Sequence, residues 1–374
     1  MEKKLSVLFA TTNLNYNGAK KYIVETANEL ASRGHKVGIV FDKGPLAERV
    51  DSRVKKYHVK LNGLGLDPIS RLKVILKAAV ISRSEGYHII HSEASSSILS
   101  HKMLAFFSRA KIVETIHQVW IKPSDRQKAA KVLPLRADKL IAISSSVAGV
   151  MNKAGLNMKK TVVLQNGINT KEFLHLDWRQ VKGSKKSLGI GGNDPVLVWV
   201  SRVSREKNLE AFINWFPAVL ADFPDARLVV VGDNGSGDRS YLDQTIAKIK
   251  ELELSRNIIC VGGQANVKKY LSIGDIFTIT GLARDLSVME AMAMGLPVVV
   301  SNLRYPYKPE LVVHGETGLL FDWGDWKKWS EHIKFLLSHS QVAKKMGEEG
   351  KKRVSLLFNI EKHVDKLEKI YRSL

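Results

Sequence analysis

Arg202 and Lys207 stand five residues apart in SRVSREKNLEAF, directly after the apolar run PVLVWV. An arginine fork and a lysine point charge in a strand-to-helix loop suit a diphosphate, whose charge must be neutralised as it leaves. A second anion site is spelled by TGLARDLSVMEAMAMGLPVVVS, residues 280–301. Asp285 or Ser287 can cap a helix there, residues 291–294 favour helix, and Gly295 with Pro297 end it before a short apolar strand at 298–300. Unpaired amides at the start of that helix attract an anion. Glu290, about one turn inside, can accept hydrogen bonds from a vicinal diol such as a ribose. A solvated helix carboxylate is the plain alternative for Glu290, and an ordinary surface pair is the alternative for Arg202 and Lys207.

The elements that must carry these residues form two series. Strand-like runs at 5–12, 35–41, 87–93, 111–117, 139–144 and 161–167 are separated by helix-length segments, beginning with NLNYNGAK and YIVETANELASRG. The stretch HLDWRQVKGSKKSLGIGGND, 175–194, is polar, basic and glycine-rich. The pattern then restarts with runs at 195–202, 226–233, 257–263, 275–280 and 296–301. Strands alternating with helices imply parallel βαβ units. The expectation is therefore an α/β chain of two doubly wound domains joined near residue 185. Ligands are expected at the carboxyl ends of the strands and in the cleft between the domains.

At 374 residues the chain can bury two cores, and its 44% apolar and 25% charged residues are those of a globular protein. No run of about 18 apolar residues predicts a membrane span. The opening MEKKLSVLFATTN reads as a first buried strand, since its apolar stretch is too short for a secretory signal. Cys260 is the only cysteine, so neither an intrachain disulfide nor a cysteine metal cluster can form, as suits a reducing cytoplasm. The formal charge is +16 over residues 1–180 and +5 over 181–374. Such a basic half can meet nucleic acid, an anionic membrane or an anionic polymer. No zinc-finger spacing, aromatic-rich single-strand motif or arginine-rich tail favours nucleic acid. Segments 71–83, 101–111 and 120–136 mix cations with large apolar residues, as interfacial helices do, and as ordinary sheet-packing helices with solvated lysines also do.

The ordered set of motifs resembles a retaining glycosyltransferase of family 4 with the GT-B architecture, two Rossmann-like doubly wound domains facing across a cleft. The resemblance runs through NGAKKYIVETANELASRGHKV, TIH at 115–117, ADKLIAIS with VVLQNGINTKEF, SRVSREKN, LVVVGDNG, VGG at 261–263 with YLSIGDIF, and EAMAMGLPVVVS with ELVVHGETGLLF. It implies an N-terminal acceptor domain at 1–185, a C-terminal nucleotide-sugar donor domain at 186–355, and a last helix, 356–374, that crosses back to the first domain. In that helix Ile360, Val364, Leu367 and Ile370 or Tyr371 fall at helical spacing.

The resemblance also implies roles. Arg202 and Lys207 match the pair that binds the donor diphosphate and stabilises its departure, a role that needs no metal and no other cofactor. Glu290 matches the second glutamate of a paired motif, the one that holds the ribose. Gly18 matches a glycine that lets the backbone approach phosphate or sugar, and His117 a histidine that contacts the donor sugar. Gly263 and Gln264 lie where backbone groups meet the base. The first glutamate of the paired motif belongs at position 282, which is Leu282, and the glycine pair usual after the last strand is replaced by SNLRYPYKPE. Backbone amides at Ala283, Arg284, Asp285 and Leu286, or the side chains of Arg284 and Asp285, are the donor contacts left to take over. Asn166 and Gly167 match an architectural turn, and Glu310 matches a recurrent position.

The implied activity is transfer, with retained configuration, of a sugar from a UDP- or GDP-sugar to a cell-envelope glycan or glycolipid such as lipopolysaccharide or exopolysaccharide. The expected location is the cytoplasm, with the basic half peripheral at the inner face of the plasma membrane. Two rival readings share this fold: a sugar-nucleotide epimerase or hydrolase, and a non-catalytic nucleotide-sugar-binding subunit.

Overall fold

The computed structural model describes residues 3–61, 68–93, 108–117, 123–174, 176–234, 239–280, 286–301 and 310–374. The chain divides into two compact units: residues 1–168 with 360–374, and residues 169–359.

The first unit runs β1 (Ser6–Ala10), α1 (Gly18–Ser32), β2 (Lys36–Phe41), β3 (Lys55–His58), α2 (Pro68–Glu85), β4 (Ile89–Glu93), β5 (Lys111–Ile116), α3 (Pro123–Arg136), β6 (Lys139–Ala142), α4 (Ser145–Lys153) and β7 (Thr161–Val163). Its strands form one sheet in the order β3-β2-β1-β4-β5-β6-β7, with every pairing parallel. Apolar residues alternate between its faces, as the two-residue period of a strand requires. Val7 and Phe9 of β1 join Ile39 and Val113 in the core on one face, while Leu8 and Ala10 join Val40, Ile90 and Ile112 on the other. Both faces of β1 are thus covered, which is why it reads as a continuous apolar run.

The last helix, Ile360–Arg372, packs in this first unit. Its residues Ile360, Val364, Leu367 and Tyr371 lie on one stripe and are buried against Tyr22, Leu30 and Val37. Arg33 at the end of α1 donates to Asp365 (2.6 Å), Glu368 (3.0 Å) and the carbonyl of Glu361 (2.8 Å), which secures the helix along its polar side. Two buried histidines bridge helix and sheet. His363 donates from Nδ1 to the carbonyl of Gln165 at 2.7 Å, so its Nε2 accepts from the Tyr22 hydroxyl at 3.2 Å in the neutral ring. His91 lies 2.6 Å from the Tyr371 hydroxyl and 2.7 Å from that of Thr115.

The second unit runs α5 (Trp178–Ser187), β8 (Val196–Val200), α6 (Leu209–Leu220), β9 (Arg227–Val231), α7 (Arg239–Glu251), β10 (Ile258–Cys260), α8 (Val267–Leu271), β11 (Ile276–Ile279), α9 (Leu286–Ala293), β12 (Val298–Ser301), β13 (Leu319–Phe321), α10 (Trp326–Ser338) and α11 (Ser340–Leu357). Its sheet has the order β10-β9-β8-β11-β12-β13 and is again parallel throughout. Among the described helices, none is long and apolar enough to cross a membrane.

The structure departs from the sequence reading in three places. The stretch 175–194, read as the joint between domains, holds α5, whose Asp177 and Gln180 form a reciprocal capping box. The units divide instead between Ile168 and Asn169. The polarity of that stretch reflects a helix that buries only Ser184. Strands β3 and β13 have no counterpart among the predicted runs. β3, KKYH, is exposed or half-buried along its length at the sheet edge and has no apolar run, and β13, LLF, is apolar but only three residues long, too short to stand out as a strand.

The buried histidines give the first unit an acid limit. Burial, then the neighbouring positive charges of His117 and His363, pushes His91 down to about 3. His363 is pushed down to about 4, because burial outweighs the support of the Gln165 carbonyl, and Lys366 and His117 add to the depression. An unfolded histidine protonates near pH 6.5, so between about pH 6.5 and pH 3–4 the unfolded state binds more protons, and stability rises with pH across that window. Full stability is expected above it, with a loss at pH 5 of about 2 kcal/mol for each histidine relative to neutral pH. Thermal melts at pH 7, 6 and 5 should show the midpoint falling, and His91→Gln should flatten the slope; equal slopes in the two proteins would contradict this account.

Candidate functional site

In a parallel sheet all carboxyl ends lie along one edge, and a crevice opens there where the strand order reverses. In the second unit that point falls between β8 and β11. Arg202 and Lys207 occupy the loop that leaves β8. Arg202 is exposed, with a long 3.8 Å contact to Glu206 that leaves its guanidinium open to an incoming anion. Lys207 is half-buried. Its backbone carbonyl accepts a hydrogen bond from the hydroxyl of Thr280, the residue just after β11. Thr280 is fully buried, so the cationic loop is tied to the neighbouring strand end at the point of reversal.

The loop is also tied to β9. Ser201 donates to the carbonyl of Val231 (3.1 Å), and Val203 donates to that of Asp233 (2.8 Å). This close approach depends on Gly232. Its φ is 146°, and a Cβ there would collide with the carbonyl oxygen of Ser201. Gly232 in turn donates to the carbonyl of Gly262 at 2.8 Å, which links the turn after β10 to the same edge. In that turn Gly262 takes φ 70°, and Gly263, which is exposed, has no room for a Cβ beside the Asp233 carboxylate. Gln264 folds back, its side-chain amide donating to the carbonyl of Val261 at 2.6 Å. The side-chain amide therefore braces the turn, and it is the backbone of Gly262 and Gly263 that faces outward.

The helix predicted near 285 is α9, with Leu286 its first described residue. Glu290 is 4% exposed. The solvated-carboxylate reading is excluded, because a buried glutamate is retained only with partners. The turn into β12 closes through Gly295 (φ 80°) and Pro297, with Gly295 donating to the carbonyl of Met292 at 2.9 Å. Gly347 of α11 lets that turn approach, since a Cβ would strike the Gly295 carbonyl. Leu282, Ala283, Arg284 and Asp285 lie outside the described residues. At the recurrent position Glu310, the backbone carbonyl accepts from Arg353 at 2.8 Å.

In the first unit the reversal falls between β1 and β4. Gly18 is the first residue of α1, capped by the side chain of Asn17, which accepts from the amide of Lys20 at 3.0 Å. Gly18 is therefore helical, and serves no left-handed turn. His117 follows β5, half-buried, its ring 5.0 Å from that of Tyr22 in an edge-on contact. Asn166 is buried before the C-terminal helix returns.

Two residues that the sequence reading missed stand beside His117. Lys20, in the first turn of α1, donates to the hydroxyl of Thr11 at 2.6 Å and to the carboxylate of Glu93 at the end of β4. Their signal was a lysine two residues after the glycine of NGAK and a glutamate at the end of HSE. Only the fold reveals that these two, 73 positions apart, meet.

Two parallel Rossmann-like domains, with a cationic loop at the reversal point of one sheet and a buried glutamate in its neighbouring helix, define a glycosyltransferase of GT-B architecture. The model for Glycosyltransferase Family 4 matches residues 16–172 and that for Glycosyl transferases group 1 matches residues 181–353. The chain belongs to glycosyltransferase family 4. It is 25% identical over 361 residues to an N-acetyl-alpha-D-glucosaminyl L-malate synthase of Bacillus anthracis, covering 93% of this chain and 91% of that one. It is 23% identical over 345 residues to a UDP-Gal:alpha-D-GlcNAc-diphosphoundecaprenol alpha-1,3-galactosyltransferase of Escherichia coli, covering 88% and 87%. The fold matches Anabaena Alr3699/HepE, solved in complex with UDP and glucose, with a TM-score of 0.84 at 19% identity over 99% of this chain and 100% of that one.

Gly232 holds three strand ends in register around the cationic loop. Gly232→Ala should cost about 2–4 kcal/mol, from the steric clash and the unfavourable φ together. A lowered thermal midpoint is the expected result, and an unchanged midpoint would show that the edge relaxes without it.

Proposed function

We propose that the chain transfers a sugar from a UDP-sugar to an anionic, lipid-linked acceptor of the cell envelope, with retention at the anomeric carbon and without a metal ion. The placement of Arg202 and Lys207 at the β8/β11 reversal carries this reading. In the proposed reaction the bond from the anomeric carbon to the diphosphate oxygen breaks as the acceptor oxygen attacks from the same face. The acceptor proton passes to the leaving diphosphate, and Arg202 and Lys207 hold the charge that develops there. Glu290 holds the ribose hydroxyls, and the backbone around Gly263 meets the base.

UDP is favoured among nucleotides by the names of the E. coli relative and of the Anabaena complex. An anionic acceptor is supported from two sides: the first half of the chain carries +16, and the two relatives are named for malate and for a diphospholipid, both anions. A bilayer surface bearing that lipid would attract the same basic half.

Thermal shift and turnover across UDP-, GDP- and other nucleotide-sugars test the donor. A UDP-sugar should raise the melting midpoint, Arg202→Ala and Lys207→Ala should abolish the shift from free UDP, and Glu290→Ala should weaken it by about tenfold in Kd. Turnover should persist in EDTA. Unchanged binding in all three variants would sink the site assignment. Donor consumption that is indifferent to any acceptor would favour the hydrolase or epimerase, and binding without turnover the non-catalytic subunit. At low salt the protein should sediment with vesicles rich in phosphatidylglycerol and leave phosphatidylcholine vesicles alone; equal partition would remove the membrane surface from the proposal.

A further inference from the structure

Helix α2, Pro68–Glu85, carries apolar residues on two sides, where a surface helix needs them on one. Val74, Ala78 and Ile81 are buried in the core with Leu8, Val40 and Ile90 of the sheet. Ile69, Leu76 and Val80 face the other way and are 68%, 37% and 64% exposed. With 3.6 residues per turn these three fall within about 40° of one another, on the side of the helix opposite Ala78. The line they form runs for about 16 Å. The same period puts Lys73 and Lys77 on one side of it and Arg83 on the other, all three exposed. No carboxylate stands among the described exposed residues of α2. Glu85, at its end, is half-buried and paired with Lys55 at 2.7 Å.

A single exposed aliphatic side chain is ordinary. Three on one line are not, because the sheet-facing side already supplies the packing of α2, and glutamate, glutamine or lysine would favour a helix in water as well or better. The flanking cations decide what suits the line. Lysine and arginine lay their methylene stems along apolar surface and carry their charged heads beyond it. A helix lying in the interface of an anionic bilayer is arranged in this way, its apolar residues at the acyl boundary and its cations among the phosphates. A second copy of the chain suits it poorly, since a two-fold contact sets the same patch, and so the same cations, against itself.

We infer that α2 seats the first unit on an anionic bilayer, with Ile69, Leu76 and Val80 entering the headgroup boundary and Lys73, Lys77 and Arg83 meeting lipid phosphates. This seat deepens the membrane surface proposed above and rests on that reading: net charge draws the basic half to the lipid, and α2 is the element that holds it there. Segment 71–83 thus serves both of its alternatives, packing on the sheet with one side and meeting the interface with the other.

Sedimentation with vesicles of phosphatidylglycerol and phosphatidylcholine, against phosphatidylcholine alone, measures the binding. Ile69→Ser with Val80→Ser should weaken attachment to the anionic vesicles about tenfold. Lys73→Glu with Lys77→Glu should weaken it at least as much and flatten its dependence on salt. All four positions are exposed, so the melting midpoint and the Kd for UDP should stay at their wild-type values. Depth is read with an environment-sensitive dye on Val80→Cys, in a Cys260→Ser background because Cys260 is itself exposed. The dye should report water in buffer and an apolar surrounding once anionic vesicles are added. A dye already shielded in buffer means that the chain itself or a second copy covers the line, and the inference is overturned. Wild-type vesicle binding that survives both serine substitutions removes α2 alone, whereas wild-type protein that ignores anionic vesicles removes the membrane surface altogether, so the two failures are told apart.

Discussion

Every strand pairing in both sheets is parallel, and the rest of the molecule depends on that constraint. Parallel strands can be joined only by crossovers, so all their carboxyl ends collect on one edge and all the connecting loops open from it. The order then reverses once in each sheet, at β1/β4 and at β8/β11. Both polar clusters sit at those two places: Thr11, Lys20, Glu93 and His117 in one unit, Arg202, Lys207 and Thr280 in the other. The strands beside each reversal, β1 and β8, are buried along their whole length, and the polar clusters lie at strand ends and in the first turns of the helices that follow.

Holding such an edge together takes backbone contacts closer than side chains allow. Gly232 brings the ends of β8 and β9 together and its amide ties in the turn after β10, and Gly347 lets α11 close over the turn that feeds β12. Hydrogen bonds from Ser201 and Val203, and from Thr280 to the Lys207 carbonyl, seat the loop carrying Arg202 and Lys207, and the Arg202 side chain is exposed. Preorganised charge of that kind needs little rearrangement when a diphosphate develops its negative charge. The first unit obtains its rigidity differently. There the last residues of the chain return to cover the sheet, and His91, His363, Tyr22 and Tyr371 form a buried polar seam between them. Burial keeps both histidines neutral, so the stability of this unit is coupled to pH as well as to the presence of its C-terminal helix.

Much of this was legible in the sequence, and the reason is local. Runs such as LSVLFATT and PVLVWV can be nothing but covered strands, because an apolar run of that length must be hidden on both faces. Arg202 and Lys207 could be singled out because they follow such a run in a strand-to-helix loop, and Glu290 because it lies about one turn inside a helix with readable ends, whereas His117 came with the family resemblance. The edge strands β3 and β13 escaped notice because a strand that is half-solvated or three residues long carries no periodic signal. The joint between domains was misplaced because α5 is polar and glycine-containing, and its capping box at Asp177 and Gln180 weighed less in the reading than its composition.

By itself, then, the sequence determined the element types, the parallel class, the family and the half of the site that lies within one loop or one helix. It did so because hydrophobic period, capping and turn chemistry act over a few residues. Only the tertiary structure decided what depends on distant parts of the chain meeting. It buried Glu290 and so gave it a partner-requiring environment, it brought Lys20 to Glu93, and it joined the C-terminal helix to the first unit through Arg33 and the two histidines. Desolvation and ion pairing depend on what surrounds a group in space, and nothing in the spacing of residues along a chain specifies that.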